Sequence, residues 1–276
     1  MKIAILSGKG GTGKTTVATN LAALLGASYV DCDVEAPNGF LFLQPDQIHT
    51  SPVEVENPLI NQEACLQCGH CVQTCQFHAL AQLPKEILFF PQLCHSCGAC
   101  QIACPHDAIR MVPRTIGQID EGRSSNGPSK RGVLHIGEPF AVPIINHLLS
   151  DLPEGLHILD APPGTSCDVV RVLHYADAAI IVVEPTPFGV HDFKMALQLV
   201  QELQLPVAIV INKGDEGTDE LVQWCKAKKL PVLGLLPYSK EAAATYAEGQ
   251  LLLTLASYQE KFAEIAATMQ EGLGWN

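Results

Sequence analysis

Residues 2–25, KIAILSGKGGTGKTTVATNLAALL, restrict the folds open to this chain more than any other stretch. Residues 2–7 read as a buried strand, and 14–25 repeat apolar side chains at helical spacing. The turn between them carries Gly8-x4-Gly13-Lys14-Thr15, a complete phosphate-loop pattern with a strand before it and a helix after it. Gly8, Gly10, Gly11 and Gly13 let backbone N–H groups point inward as an anion nest, and the helix adds the positive end of its dipole. Lys14 is expected to reach the β- and γ-phosphates of a nucleotide and Thr15 to ligate Mg²⁺, with Lys9, Thr12 and Thr16 completing the lining.

Five further apolar runs, 28–33, 157–162, 178–186, 206–213 and 231–237, alternate with helical stretches. Strands so continuously apolar are buried on both faces, as in a parallel sheet covered by helices. The fold class expected is therefore α/β, a mostly parallel sheet with helices on both faces, built from residues 1–57 and 113–276. The rhythm breaks over 58–112, which is short of long apolar helices and holds eight of the eleven cysteines. That stretch reads as a small α+β domain inserted into the first. Residues 114–140 are rich in Gly, Ser, Arg and Lys, and their centre, GRSSNGPSKRG, reads as a mobile loop: a flexible linker, or a segment ordered by nucleotide or partner.

Asp31, Asp33 and Asp160 end apolar runs, and ligands of open α/β sheets bind at the carboxyl ends of strands. Asp160 holds the usual place of an acid that binds Mg²⁺ through water. Taken together, KGGTGKTT, VDCDVEAPN, DAPPGTSCD and INK resemble the MinD-type subfamily of P-loop ATPases, and the resemblance covers nearly all of the α/β part. It implies ATP hydrolysis to ADP and phosphate in a nucleotide-sandwich homodimer, with Lys9 crossing to the partner's ATP. It also implies that Asp33 positions or activates the attacking water beside the Mg²⁺, and that Asp160 with Pro162-Pro163-Gly164 senses the γ-phosphate. Asn212 would bind the adenine, and Pro237-Tyr238 would line the base pocket. By chemistry alone ATP and GTP stay open, since residues 212–215, NKGD, also fit a guanine-reading NKxD pattern; the resemblance favours ATP.

The cysteines form two runs, Cys65-x2-Cys68-x2-Cys71-x3-Cys75 and Cys94-x2-Cys97-x2-Cys100-x3-Cys104-Pro105. Both match the bacterial ferredoxin run, in which the fourth cysteine ligates the other cluster. The expected ligand sets are Cys65, Cys68, Cys71 and Cys104 for one 4Fe–4S cluster, and Cys94, Cys97, Cys100 and Cys75 for the other. Gly69 and Gly98 allow the tight backbone around each. Zinc is the competing occupant, but three cysteines at successive x2 spacing fit one tetrahedral ion poorly. Gln76 stands where the second run has Pro105. His70, His78, His95 and His106 read as surface groups near the clusters, and Cys32, Cys167 and Cys225 as structural thiols.

A formal net charge of −12 argues against nucleic acid and against anionic membrane surfaces as partners. The first residues lack the features of a secretory signal, and no run approaches the roughly 20 apolar residues of a membrane span. The expected location is cytoplasmic, where cysteines serve better as metal ligands than as disulfides. The C-terminus reads as a packed amphipathic helix with no membrane anchor. Together these features predict an ATP-binding, ATP-hydrolysing iron–sulfur protein in which a homodimer switch is coupled to electron transfer towards a redox or cluster-accepting protein. The alternatives are a cluster assembly or carrier ATPase, against which stands the lack of a CxxC pair outside 58–112, and a redox-sensing regulatory ATPase.

Overall fold

The computed structural model describes residues 1–214 and 218–273. In chain order the elements are β1 (Lys2–Leu6), α1 (Lys14–Leu25), β2 (Ser28–Asp31), α2 (Phe40–Leu43), β3 (Asp46–Ile60), α3 (His70–Thr74), β4 (Leu80–Gln82) and β5 (Ile87–Phe89). There follow α4 (Ala99–Ile102), β6 (Ile109–Ser124), β7 (Gly127–Leu134), α5 (Val142–Ser150), β8 (His157–Asp160), α6 (Cys167–Tyr175) and β9 (Ala178–Val183). The chain closes with α7 (Pro187–Glu202), β10 (Val207–Gly214), α8 (Thr218–Ala227), β11 (Val232–Pro237), α9 (Lys240–Ala247) and α10 (Ala256–Gly272).

One sheet of nine strands, in the order β11-β10-β9-β1-β8-β2-β7-β6-β3, forms the spine. From β11 to β7 every pairing is parallel. The apolar runs take this role because both faces are covered: β9 is buried at every position, and separate apolar cores lie on either side of the sheet. The C-terminal helix α10 packs as expected, burying Tyr258, Phe262, Ile265 and Met269 in one of those cores. Among the described residues no helix is long and apolar enough to cross a membrane.

Residues 122–132 correct the expectation of a mobile loop. They form the end of β6, the turn and most of β7 in a long antiparallel ribbon, β3–β6–β7, whose last strand joins β2 through Tyr29↔Ser129 to Asp31↔Arg131. The turn Ser125–Asn126 closes β6 onto β7, with the Asn126 amide donating to Ser124 Oγ at 3.1 Å. The glycines that looked like loop signals are packing sites. A Cβ on Gly132 would sit 2.7 Å from Ile144 and Val34, and one on Gly117 would sit 2.4 Å from Ile144, so α5 lies directly on the ribbon. Asp120, buried in mid-ribbon, is satisfied by Arg131 at 2.9 Å and Thr50 at 2.8 Å.

The cysteine segment is the far end of that ribbon. The expected boundaries at 57/58 and 112/113 fall inside β3 and β6, which run on unbroken. The segment repeats itself at an interval of 29 residues. Left-handed residues recur as Gln67 and Ser96, Gly69 and Gly98, His78 and Asp107. The pairing Pro58↔Met111 to Ile60↔Ile109 has its counterpart in Ile87↔Gln82 to Phe89↔Leu80. Each half is thus strand, four-cysteine loop with a short helix, strand.

Candidate nucleotide site and paired cysteine hollows

The phosphate loop leaves β1 and enters α1 through Gly13, left-handed at φ 93°. Three of its glycines meet a geometric need. Gly11 is left-handed at φ 78°, a Cβ on Gly8 would strike the Asp192 carbonyl, and one on Gly13 would strike the Asn212 amide. Gly10 is exposed, Thr12 is buried, and Thr15 and Thr16 are half-buried in the first turn of α1.

Lys14 is buried, and its Nζ donates to Asp160 Oδ1 at 2.7 Å. Burial alone would lower the ammonium's pKa, but Asp160, with Asp31 and Asp33 behind it, holds it above its ordinary value. Phosphate oxygens would therefore have to compete with Asp160 for this lysine. Asp160 Oδ2 accepts from the Tyr29 hydroxyl at 2.9 Å, and the same hydroxyl lies 3.1 Å from Asp31 Oδ2. The backbone N–H groups of Gly39 and Asp33 also donate to Asp31, at 2.9 and 3.2 Å.

A phenol has one proton to give and here faces two carboxylates, so the second contact is satisfied when a carboxyl carries a proton. Asp31 is that group. Burial first, and the neighbouring Asp160 charge second, push it up to about 7. Asp33 is half-buried, raised by burial and drawn down in part by Lys14. Tyr29 and the buried role of Asp31 escaped the sequence reading. The available signal was the two-residue strand period, which puts positions 29 and 31 on one face.

Lys9 folds back within its own chain, 3.9 Å from Glu184, and Lys213 reaches the same carboxylate at 3.7 Å. Lys213 Nζ also donates to Gly11 O at 2.8 Å. The Asn212 amide donates to Thr12 O at 2.7 Å, buttressing the phosphate loop from behind. Asn212 also lines a hollow with Thr16, Pro237, Tyr238, Tyr246 and Tyr258, beside Gly11 and Gly13 of the loop. Asp215, the last residue of the NKGD run, lies outside the described residues.

The structure gathers the eight cysteines into two hollows, and the grouping crosses between the runs. Cys65, Cys68, Cys71 and Cys104 line one, together with Ile60, Ile87 and Ile109. Cys75, Cys94, Cys97 and Cys100 line the other, together with Pro58, Leu80 and Met111. Among the described residues no three His, Cys, Asp or Glu side chains converge as the ligands of one metal ion must. The sulfurs ring a space instead. Backbone N–H groups of Ala79 and Ser96 point at Cys75 and Cys94 Sγ, at 3.3 and 3.4 Å. Burial pushes the Cys71 and Cys94 thiols up, and Cys100 to about 11, so these sulfurs are poor thiolates until a cation compensates them. Apolar walls and four cysteines fit an iron–sulfur cluster in each hollow, and the N–H···S contacts belong to the second. Of the other cysteines, Cys32 and Cys225 are buried and Cys167 is exposed at the start of α6.

A model of the CobQ/CobB/MinD/ParA nucleotide binding domain matches residues 3–253. An uncharacterized protein of Methanocaldococcus jannaschii is 33% identical over 275 residues, 96% of either chain. An iron–sulfur cluster carrier protein of Pyrococcus horikoshii is 28% identical over 222 residues, covering 76% of this chain and 61% of the carrier, so this chain spans less than two thirds of that relative. Among solved structures, the septum site-determining protein MinD of Pyrococcus horikoshii, complexed with Mg-ADP, superposes with a TM-score of 0.62 at 16% identity, over 98% of this chain and 96% of that one. That likeness is one of fold. A family model running from β1 to residue 253, with the phosphate loop, the strand-end aspartates and the parallel sheet in place, makes this chain a member of the CobQ/CobB/MinD/ParA nucleotide-binding family.

Proposed function

We propose that the chain is an ATP-hydrolysing iron–sulfur protein in which nucleotide state governs a module holding two 4Fe–4S clusters. The observation that carries this is the pair of four-cysteine hollows at the end of a ribbon hydrogen-bonded to the Asp31 strand. Lys14 would transfer from Asp160 to the phosphates, leaving Asp160 and Thr15 to hold Mg²⁺, with Asp33 beside them. Asp33 would then orient the attacking water, whose oxygen bonds to the γ-phosphorus as the bond to ADP breaks. Lys9, released from Glu184, would reach the phosphates of a second copy and complete a homodimer. The hollow lined by Asn212 and Pro237 would take the adenine.

Cys65, Cys68, Cys71 and Cys104 would hold one cluster, and Cys75, Cys94, Cys97 and Cys100 the other. Bound there, such clusters supply one-electron transfer. The surrounding chain provides the thiolates, the N–H···S contacts and the apolar wall. The partner is a redox or cluster-accepting protein. Anaerobic purification tests the reading directly: about eight iron atoms per chain and Mg²⁺-dependent ATP hydrolysis are expected. Zinc in place of iron, or no retained adenine nucleotide, overturns it.

Relatives named iron–sulfur cluster carrier favour a second reading, in which a cluster is cargo and ATP controls its release. Transfer of labelled iron to an apo-acceptor only with ATP selects that reading. Retained iron with electron passage selects the first.

A further inference from the structure

The internal repeat relates the two cysteine hollows, yet their surroundings differ. In the second hollow the turn Cys94–Cys97 is tied to residues beyond the repeat. The His95 ring lies 3.7 Å from the Phe77 ring and 4.1 Å from the Phe140 ring, centroid to centroid, so it is held between them. Ser96 Oγ lies 3.5 Å from the side-chain amide of Asn57. With that amide turned to face Arg114, its oxygen accepts from Arg114 Nε at 2.8 Å. Arg114 grips both carboxylate oxygens of Glu138, with Nη2 to Oε2 at 2.9 Å.

Glu138 and Phe140 belong to one short segment, 135–140, between β7 and α5. It starts where the Leu134 amide donates to Val34 O at 2.8 Å, and His135 then donates to Ile116 O at 2.9 Å. Val34 follows Asp33 directly. The Leu134–Val34 hydrogen bond, segment 135–140 and the tilted contact of the Phe140 ring with His95 therefore join the Asp33 loop to the Cys94–Cys97 turn, with the Glu138–Arg114 ion pair beside them.

Among the described residues the first hollow has no equivalent. Leu66 occupies the repeat position of His95 and is 69% exposed. Gln67 occupies that of Ser96, and its carbonyl accepts from Gln82 Nε2 at 2.6 Å, inside the repeat.

From this difference we infer that the nucleotide site acts on the second hollow alone, through segment 135–140, with Phe140 as the positioning residue for the Cys94–Cys97 turn. The inference rests on the nucleotide and cluster reading above. A ligand shifts a conformation only by the difference in its affinity for two states. The Asp33–Val34 loop is where a nucleotide meets this line of contacts, and the Cys65–Cys68 turn lies off it.

Hydrogen–deuterium exchange on the anaerobic full-length protein tests this, with and without Mg²⁺ and a non-hydrolysable ATP analogue. The analogue is expected to slow exchange several-fold over 94–98 and to leave 65–69 unchanged. Phe140→Ala should abolish the response at 94–98 while 33–39 still respond and iron content holds. Phe140→Leu, which keeps apolar bulk without a ring, should do the same. An equal response at both turns, a response at 65–69 alone, or a wild-type response in both variants overturns the inference while leaving the proposed function intact. Iron-free protein that keeps the response removes the cluster reading and leaves the coupling standing. No response at 33–39 removes both.

Discussion

Tyr29→Phe deletes one oxygen from the centre of the nucleotide site and leaves the ring in place. The lost hydroxyl is fully buried, 2.9 Å from Asp160 and 3.1 Å from Asp31. A hydrogen bond to a charged acceptor contributes about 1.5–3 kcal/mol, and a buried carboxylate left without its donor forfeits that amount. The cost should depend on pH. Asp31 has a folded-state pKa of about 7 against an ordinary value of 3.8, so the folded state binds the extra proton between those limits. Its contribution to stability is present at low pH and is lost as pH rises through about 7. Without the phenol the two carboxylates face each other undiluted, Asp31 moves higher still, and the loss extends further up the pH scale. Urea denaturation of the nucleotide-free protein should therefore show a penalty near 1.5–3 kcal/mol at pH 8 and a smaller one at pH 5.5. A variant as stable as wild type at pH 8, or a penalty equal at both pH values, would refute the reasoning.

Cys75→Ser should leave about four of about eight irons per chain. It should expose Cys94, Cys97 and Cys100 to alkylation while Cys65, Cys68, Cys71 and Cys104 stay protected; exposure of Cys65, Cys68 and Cys71 with Cys94, Cys97, Cys100 and Cys104 protected would show uncrossed ligation. Lys9→Ala should bind ATP with little change, because its pairing with Glu184 is long and partly exposed and such pairs contribute little. Dimer formation and hydrolysis should fall together, and analytical ultracentrifugation with the ATP analogue reads the first of these. Gly117→Ala should lower the midpoint of thermal unfolding, since its Cβ would lie 2.2 Å from the Val133 carbonyl and 2.4 Å from Ile144. Overpacking of this kind costs about 1–3 kcal/mol, and an unchanged midpoint would mean that α5 does not rest on the ribbon.

The parts legible in the sequence are those whose signal is local. The phosphate loop announces itself within nine residues, and β1 and β9 are apolar at nearly every position because both faces are covered. The two runs of four cysteines were readable because their spacing is local, and the crossed sets expected from it line the same two hollows. The ribbon was not. β6 alternates buried and exposed residues irregularly and includes glycines demanded by a helix packed across it, a requirement that exists only in three dimensions. Tyr29 was hidden in an apolar run, its hydroxyl serving acids two residues and 131 residues away. Phe140, Arg114 and Glu138 flank the stretch read as a loop, in a segment where side chains carry no periodic signal.

Because β3 and β6 run on from the main sheet to the cysteines, the cysteine-bearing end is borne on a stiff beam and not on a tether. A tether guarantees only nearness; a beam fixes bearing and reach. Lengthening both strands by two residues would push the tip out by roughly 7 Å with every face preserved, whereas adding one to each would turn the tip over. The ribbon carries its own crook as well: Ile116 is skipped in the register between Val53↔Gly117 and Glu54↔Thr115, and a bulge of that kind bends a strand at a set point. The span between the main sheet and the cysteine hollows is thus written into strand length, residue by residue.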